Sequence, residues 1–192
     1  MQKMIQTEIW TIIKTNEGCA VLLRPLKKNV AVPIFVGQLE IQSILIGKEE
    51  LSLPRPLTHD LFLRLLDKLN LVLEKVEIHD LIDSTFHARL VFYGGNYTEE
   101  NPLTLDSRPS DALGLAVRRK CPIMISSAIV QDTGISLEIF TNALDTGEIE
   151  ARISKSSPQE NKRQILMKQL NEAVENEEYE KAAQIRDLLK EM

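Results

Sequence analysis

Several things are scarce in this sequence, and each scarcity excludes something. Among 192 residues there are two cysteines, Cys19 and Cys121, far apart and in no Cys-x-x-Cys pair. That excludes a disulfide framework and a thiolate zinc site. A reduced, cytoplasmic chain is expected, with both cysteines serving as small buried hydrophobes. No apolar run reaches the ~18 residues of a spanning helix, and the opening MQKMIQTEIW lacks the apolar core of a secretory leader, so no membrane association is expected. Basic residues are not in excess: 23 Lys and Arg stand against 28 Asp and Glu, a net charge of -5. A strongly basic nucleic-acid wrapper is thereby excluded. There is no His-x-x-x-His, no Asp-x-Asp and no paired Cys/His spacing. Gly94-Gly95 is followed by no lysine-bearing helix and reads as a turn rather than a phosphate loop, and no aromatic-rich basic strand offers itself to stacked bases.

What is present suits a globular chain: 43% of residues are apolar and 27% charged. The charge is uneven. Residues 1–150 hold 15 basic and 20 acidic side chains, and residues 151–192 hold 8 of each, so the acidity belongs to the larger part.

The pattern predicts an α+β domain over 1–150, a mixed β-sheet with helices. Strands are expected at Met4 to Ile13, Cys19 to Leu23 and Val30 to Val36, with turns at Asn16-Glu17-Gly18 and Lys27-Lys28-Asn29. After Gly37 the period changes, and Leu39, Ile41, Ile44 and Leu45 predict a helix ending at Gly47. A second helix is expected from Thr58 to Leu69, with Leu61, Leu65, Leu66 and Leu69 as its buried stripe. Val72 to His79, alternating through Val72, Glu74, Val76 and Ile78, and Thr85 to Tyr93 predict a hairpin. A short strand at Leu103 to Leu105 precedes a helix over Ser110 to Lys120. A strand at Ile123 to Ile125 and a last helix from Ser136 to Thr146 complete the domain. Strands followed by helices, twice over, predict two duplicated halves. The junctions Arg55-Pro56-Leu57-Thr58-His59-Asp60 and Arg108-Pro109-Ser110-Asp111 support this, each setting Arg-Pro before a Thr or Ser cap and an Asp in the first turn. Residues 151–161 lose apolar periodicity and read as a linker. Residues 162–192 carry two apolar stripes, broken at Asn176-Glu177-Glu178, and predict a C-terminal α-helical hairpin. So short a hairpin buries little surface alone and is expected to dock on a partner, on a second copy or on the main domain.

Three stretches resemble the bifunctional nuclease (DNase/RNase) domain family. The first is Val32-Pro33-Ile34-Phe35-Val36-Gly37 with Glu40. The second is Arg55-Pro56-Leu57-Thr58-His59-Asp60-Leu61, continued by Val76-Glu77-Ile78 and Thr85-Phe86-His87-Ala88. The third is Asp106-Ser107-Arg108-Pro109-Ser110-Asp111-Ala112-Leu113, followed by Leu115-Ala116-Val117-Arg118 and Pro122-Ile123. The resemblance spans about residues 5–140, with Ile41 where the family usually has Ala and His87 where it often has Tyr. It implies an α+β domain of two β-rich, helix-bearing halves, homo-oligomerisation, and an activity that degrades both DNA and RNA. Tyr179-Glu180, Ala182-Ala183, Arg186-Asp187 and Leu189, with Leu170 and Ala173 upstream, resemble the UVR motif. That helical hairpin is shared by the UvrB and UvrC excision-repair proteins, and the likeness implies a protein-docking role for residues 162–192.

Cleaving a phosphodiester requires a group to activate water, a group to stabilise charge at phosphorus and help for the leaving oxygen. Carboxylates holding Mg²⁺ or Mn²⁺ can supply all three; a histidine with an arginine clamp is the metal-free alternative. Glu40, Asp60 and Asp111 are the metal-ligand candidates. His59, Asp60, Asp106 and Asp111 are the catalytic candidates, His59 as a base kept neutral by a positive helix end. Arg55 and Arg108, with Thr58 and Ser110 at the same helix starts, are the candidates for binding phosphate. Each has a plainer use: the aspartates as helix caps, the arginines as internal struts, Glu40 as a solvated residue and His59 as a structural histidine. Two rival functions stay open beside the nuclease: a non-enzymatic interaction protein acting through its oligomer surface and hairpin, and a binder of small phosphorylated ligands.

Overall fold

The computed structural model describes residues 3–15, 18–138 and residue 186. The chain divides into two units, Met1–Asn142 and Ala143–Met192. The predicted linker and C-terminal hairpin lie outside the described residues, as does the turn at Asn16-Glu17.

The described part of the first unit is α+β, with one mixed eight-stranded sheet and four helices. The chain enters through an antiparallel meander, β1 (Met4–Thr15), β2 (Gly18–Pro25) and β3 (Val30–Val36), then α1 (Gln38–Lys48) and α2 (Thr58–Lys68). A second meander follows, β4 (Leu71–Ile82), β5 (Thr85–Gly94) and β6 (Leu103–Ser107), then α3 (Pro109–Arg119). β7 (Ile123–Ser126), α4 (Ser127–Thr133) and β8 (Ile135–Ser136) come last. β7 joins the meanders, antiparallel to β1 and parallel to β4, giving the order β6-β5-β4-β7-β1-β2-β3-β8.

Period-two alternation puts one apolar row from each strand on a common face. Val21 and Leu23, Val32 and Ile34, Val76 and Ile78, and Ala88, Leu90 and Phe92 form one core with residues of all four helices. α3 is the central helix, contributing Ala112, Leu113, Leu115 and Ala116. Bulges reset the alternation in β4: one between Leu73 and Lys75 turns Leu71 and Leu73 toward the core and leaves Val72 outside it. The β4–β5 hairpin closes through Asp83 and Ser84, both at positive φ, as a two-residue turn between twisted strands requires.

Three expectations are corrected. In α2 the buried residues are Leu63 and Leu66, with Phe62 partly buried and its ring 6.4 Å from that of Phe92. Leu61, Leu65 and Leu69 are each more than half exposed. Second, Thr58 and Ser110 are not caps. The N-caps are Leu57 and Arg108, and Pro109 takes the first helical position, where its missing N–H costs nothing. Third, the segment after β7 forms α4, too short to show a helical period, and Ser136 closes β8 instead of opening a helix. Leu137 and Glu138 are helical, and the rest of the expected last helix lies outside the described residues. Cys19 and Cys121 are partly buried free thiols packed against the core, and burial pushes the Cys121 thiol up to about 11. Among the described residues no helix is long and apolar enough to cross a membrane.

Candidate functional site

α3 sits between α1 and α2, and two glycines permit the close approach. A Cβ on Gly47 of α1 would lie 2.7 Å from Arg118 Nη1 and 2.8 Å from Val117 Cγ2. A Cβ on Gly114 of α3 would lie 2.7 Å from His59 Nε2. The starts of the three helices therefore border one open cleft of about 440 Å³. It is lined from α1 by Glu40 and Ser43, from α2 by Thr58 and His59, and from α3 by Arg108 and Asp111.

Arg108 is exposed at the N-cap of α3 and forms a fork to Asp111, with Nε donating to Oδ2 at 2.9 Å and Nη2 to Oδ1 at 3.3 Å. Its Nη1 stands 3.6 Å from Glu40 Oε1. These carboxylates raise the Arg108 pKa further, Asp111 contributing most. His59 lies between α1 and α3, its Nδ1 3.0 Å from Ser43 Oγ and its Nε2 3.8 Å from Asp111 Oδ1. Burial lowers the His59 pKa, and Arg118 and Arg108 lower it further against Asp111 and Asp60. The ring is thus held toward its neutral form.

Asp60 serves structure. Its Oδ2 accepts the N-cap Leu57 N–H at 2.8 Å, and its Oδ1 accepts from Arg118 Nε at 2.8 Å. Burial works to raise its pKa, but the Leu57 and Arg118 hydrogen bonds outweigh it and hold the carboxyl below the usual range. Arg118 is nearly buried. Its Nη1 donates to the backbone carbonyls of Ser43 at 3.0 Å and Gly114 at 2.8 Å, and its Nη2 donates to Ser43 Oγ at 3.3 Å.

The structure therefore brings together Glu40, Thr58, His59, Arg108 and Asp111 of the expected set. Arg55 is exposed in the loop, two residues ahead of the α2 cap, and lines no part of the cleft. Ser110 is buried within the first turn of α3. Asp106 pairs across β5–β6 with Arg89, which salt-bridges Glu77. Strand alternation turns this row to the sheet face opposite the helices, because Ala88 and Leu90 on either side of Arg89 belong to the core. Among the described residues no three His, Cys, Asp or Glu side chains group closely enough to hold a metal ion. The expected trio fails at Asp60, whose two oxygens are committed to Leu57 and Arg118.

Ser43, Gly114 and Arg118 were not among the expected site residues, although two signals pointed to them. A glycine inside a helix costs about 1 kcal/mol against alanine, so Gly114 asks for a packing reason. Asp111, Gly114 and Arg118 also share a helix face, as do Glu40 and Ser43.

Residues 21–138 match the bifunctional nuclease domain, and residues 165–192 match the UvrB/uvrC motif. The chain is 33% identical over 134 residues to the uncharacterized protein Rv1829 of Mycobacterium tuberculosis, covering 67% of this chain and 77% of that one. It is 25% identical over 186 residues to bifunctional nuclease 1 of Oryza sativa subsp. indica and over 187 residues to bifunctional nuclease 1 of Arabidopsis thaliana. Each plant match covers 93% of this chain, which spans 53% and 54% of those two proteins.

Proposed function

The chain belongs to the bifunctional nuclease domain family, and from that premise we propose that it hydrolyses phosphodiester bonds of DNA and RNA in the cleft at the three helix starts. The observation that carries this reading is the convergence of Arg108, His59 and Asp111 on one cleft. Arg108 presents a planar fork suited to two phosphate oxygens, and the helix starts add backbone N–H groups. Water attacks phosphorus as the bond to the leaving oxygen breaks. The water proton passes to a cleft carboxylate, and the leaving oxygen takes up a proton from solvent. Contacts to phosphate rather than to bases accord with low sequence preference.

Divalent-metal assistance remains part of the proposal only through Glu40 and Asp111, since both Asp60 oxygens are engaged by Leu57 and Arg118. Residues 162–192 are proposed to dock on a protein partner, on the strength of the UvrB/uvrC match. Self-association is proposed through the exposed Leu61, Leu65 and Leu69 stripe, a surface that light scattering of a Leu65→Glu variant would test. A cytoplasmic location accords with the two free thiols.

One observation favours the non-enzymatic rival: Arg108 already carries both Glu40 and Asp111. Incubating the purified chain with single-stranded DNA and RNA, in Mg²⁺, Mn²⁺ or EDTA, decides between the readings. Cleavage that disappears in Asp111→Asn supports the nuclease. Equal products from the native chain and Asp111→Asn overturn it, and full activity in EDTA removes the metal alone.

A further inference from the structure

The two nitrogens of His59 face different chemistry. Ser43 Oγ, 3.0 Å from Nδ1, also receives Nη2–H of Arg118 at 3.3 Å. A hydroxyl has one proton to give. The oxygen can accept twice, but a second donor from the imidazole would leave the Ser43 proton without an acceptor among the described contacts, so that proton is directed to Nδ1. At the other end Nε2 faces Asp111 Oδ1 at 3.8 Å, and an ionised carboxylate is an acceptor only. An N–H directed there is attracted and a lone pair repelled. Both ends select the same arrangement.

We propose that Ser43 and Arg118 are positioning residues that fix His59 as the neutral Nε2–H tautomer, so that its imidazole donates a hydrogen bond to a phosphate oxygen instead of acting as the base. The identity of that acceptor rests on the phosphodiester reading of the cleft; the tautomer does not. Proton acceptance then falls to the cleft carboxylates, and His59 stabilises developing charge without itself transferring a proton.

Imidazole nitrogen NMR on the full chain with ¹⁵N-labelled histidine tests this above pH 7, with His59 assigned through His59→Gln. A protonated-type Nε2 and an unprotonated-type Nδ1 are expected. Ser43→Ala should move both shifts toward the average of a tautomer mixture while the His79 and His87 signals stay in place. An Nδ1–H tautomer or an even mixture in the native chain overturns the proposal, and this measurement needs no variant to fold. Added inorganic phosphate should shift the Nε2 proton downfield, and an unmoved signal overturns the donor role. Cleavage assays stand apart: the expected tautomer without cleavage would sink the nuclease reading and leave the tautomer assignment intact.

Discussion

Arg118 Nε donates to Asp60 Oδ1 at 2.8 Å across 58 residues of chain, joining the last turn of α3 to the first turn of α2. The same guanidinium reaches the Ser43 carbonyl on α1. One nearly buried cation thus ties together the three helices whose starts line the cleft.

Removing that cation should loosen all three helices at once. Arg118→Met should cost about 1.5–3 kcal/mol, the scale for losing hydrogen bonds to a charged group, since Asp60 is about a third exposed and can be solvated. Arg118→Lys should recover part of the loss, since an ammonium keeps the charge without the fork. Urea unfolding checks this, with the expected change in midpoint at constant slope. An unchanged midpoint in Arg118→Met would show that the network contributes nothing.

Gly114→Ala sets two effects against each other. Alanine favours the helix by about 1 kcal/mol, but its Cβ would lie 2.7 Å from His59 Nε2, and overpacking costs about 1–3 kcal/mol. The steric term should win, with net destabilisation and about a 10²-fold loss of cleavage as the ring is displaced. In a His59→Ala background the clash disappears, so the same change should become stabilising. A double-mutant cycle measures that reversal of sign.

How far the sequence was legible follows from such contacts. The alternation of Val32 and Ile34 or of Leu90 and Phe92 has one interpretation, and the structure has it. α2 carries leucines on two faces: Leu61, Leu65 and Leu69 recur as regularly as Leu63 and Leu66, and only the packing of α2 against α3 and β4 decides which face is buried. Asp106 lies within a recognisable motif yet projects from the wrong face of its strand, because side-chain direction depends on register. Ser43 and Arg118 share helix faces with expected site residues, but what they do there is tertiary. Arg118 reaches Ser43 and Asp60, and Ser43 reaches His59, only after α1, α2 and α3 have packed.

Arg108 should separate activity from stability. Its side chain is exposed and its carboxylate partners can be solvated, so Arg108→Gln should leave the melting temperature unchanged. Cleavage should fall about 10²-fold, the scale for losing one charged donor at a transition state. Arg108→Lys should retain more activity, as a point charge without bidentate geometry. Turnover and melting measured on the same samples check both halves, and a melting shift equal to that of Arg118→Met would make Arg108 a strut instead.

Acidification should weaken the fold through His59. Burial, then Arg118, hold its folded pKa below the ordinary 6.5, so in that window the unfolded chain binds more protons than the native one. Stability from this group is complete above 6.5 and is lost as pH falls through the depressed folded value. Asp60 acts with the same sign further down, since its carboxyl is also held low. Urea midpoints measured from about pH 7 to pH 5 should therefore decline, and His59→Gln should flatten the upper part of the decline. Arg118→Met should flatten it less completely, because it removes the second cause of the shift and leaves the first, the burial of the ring between α1 and α3.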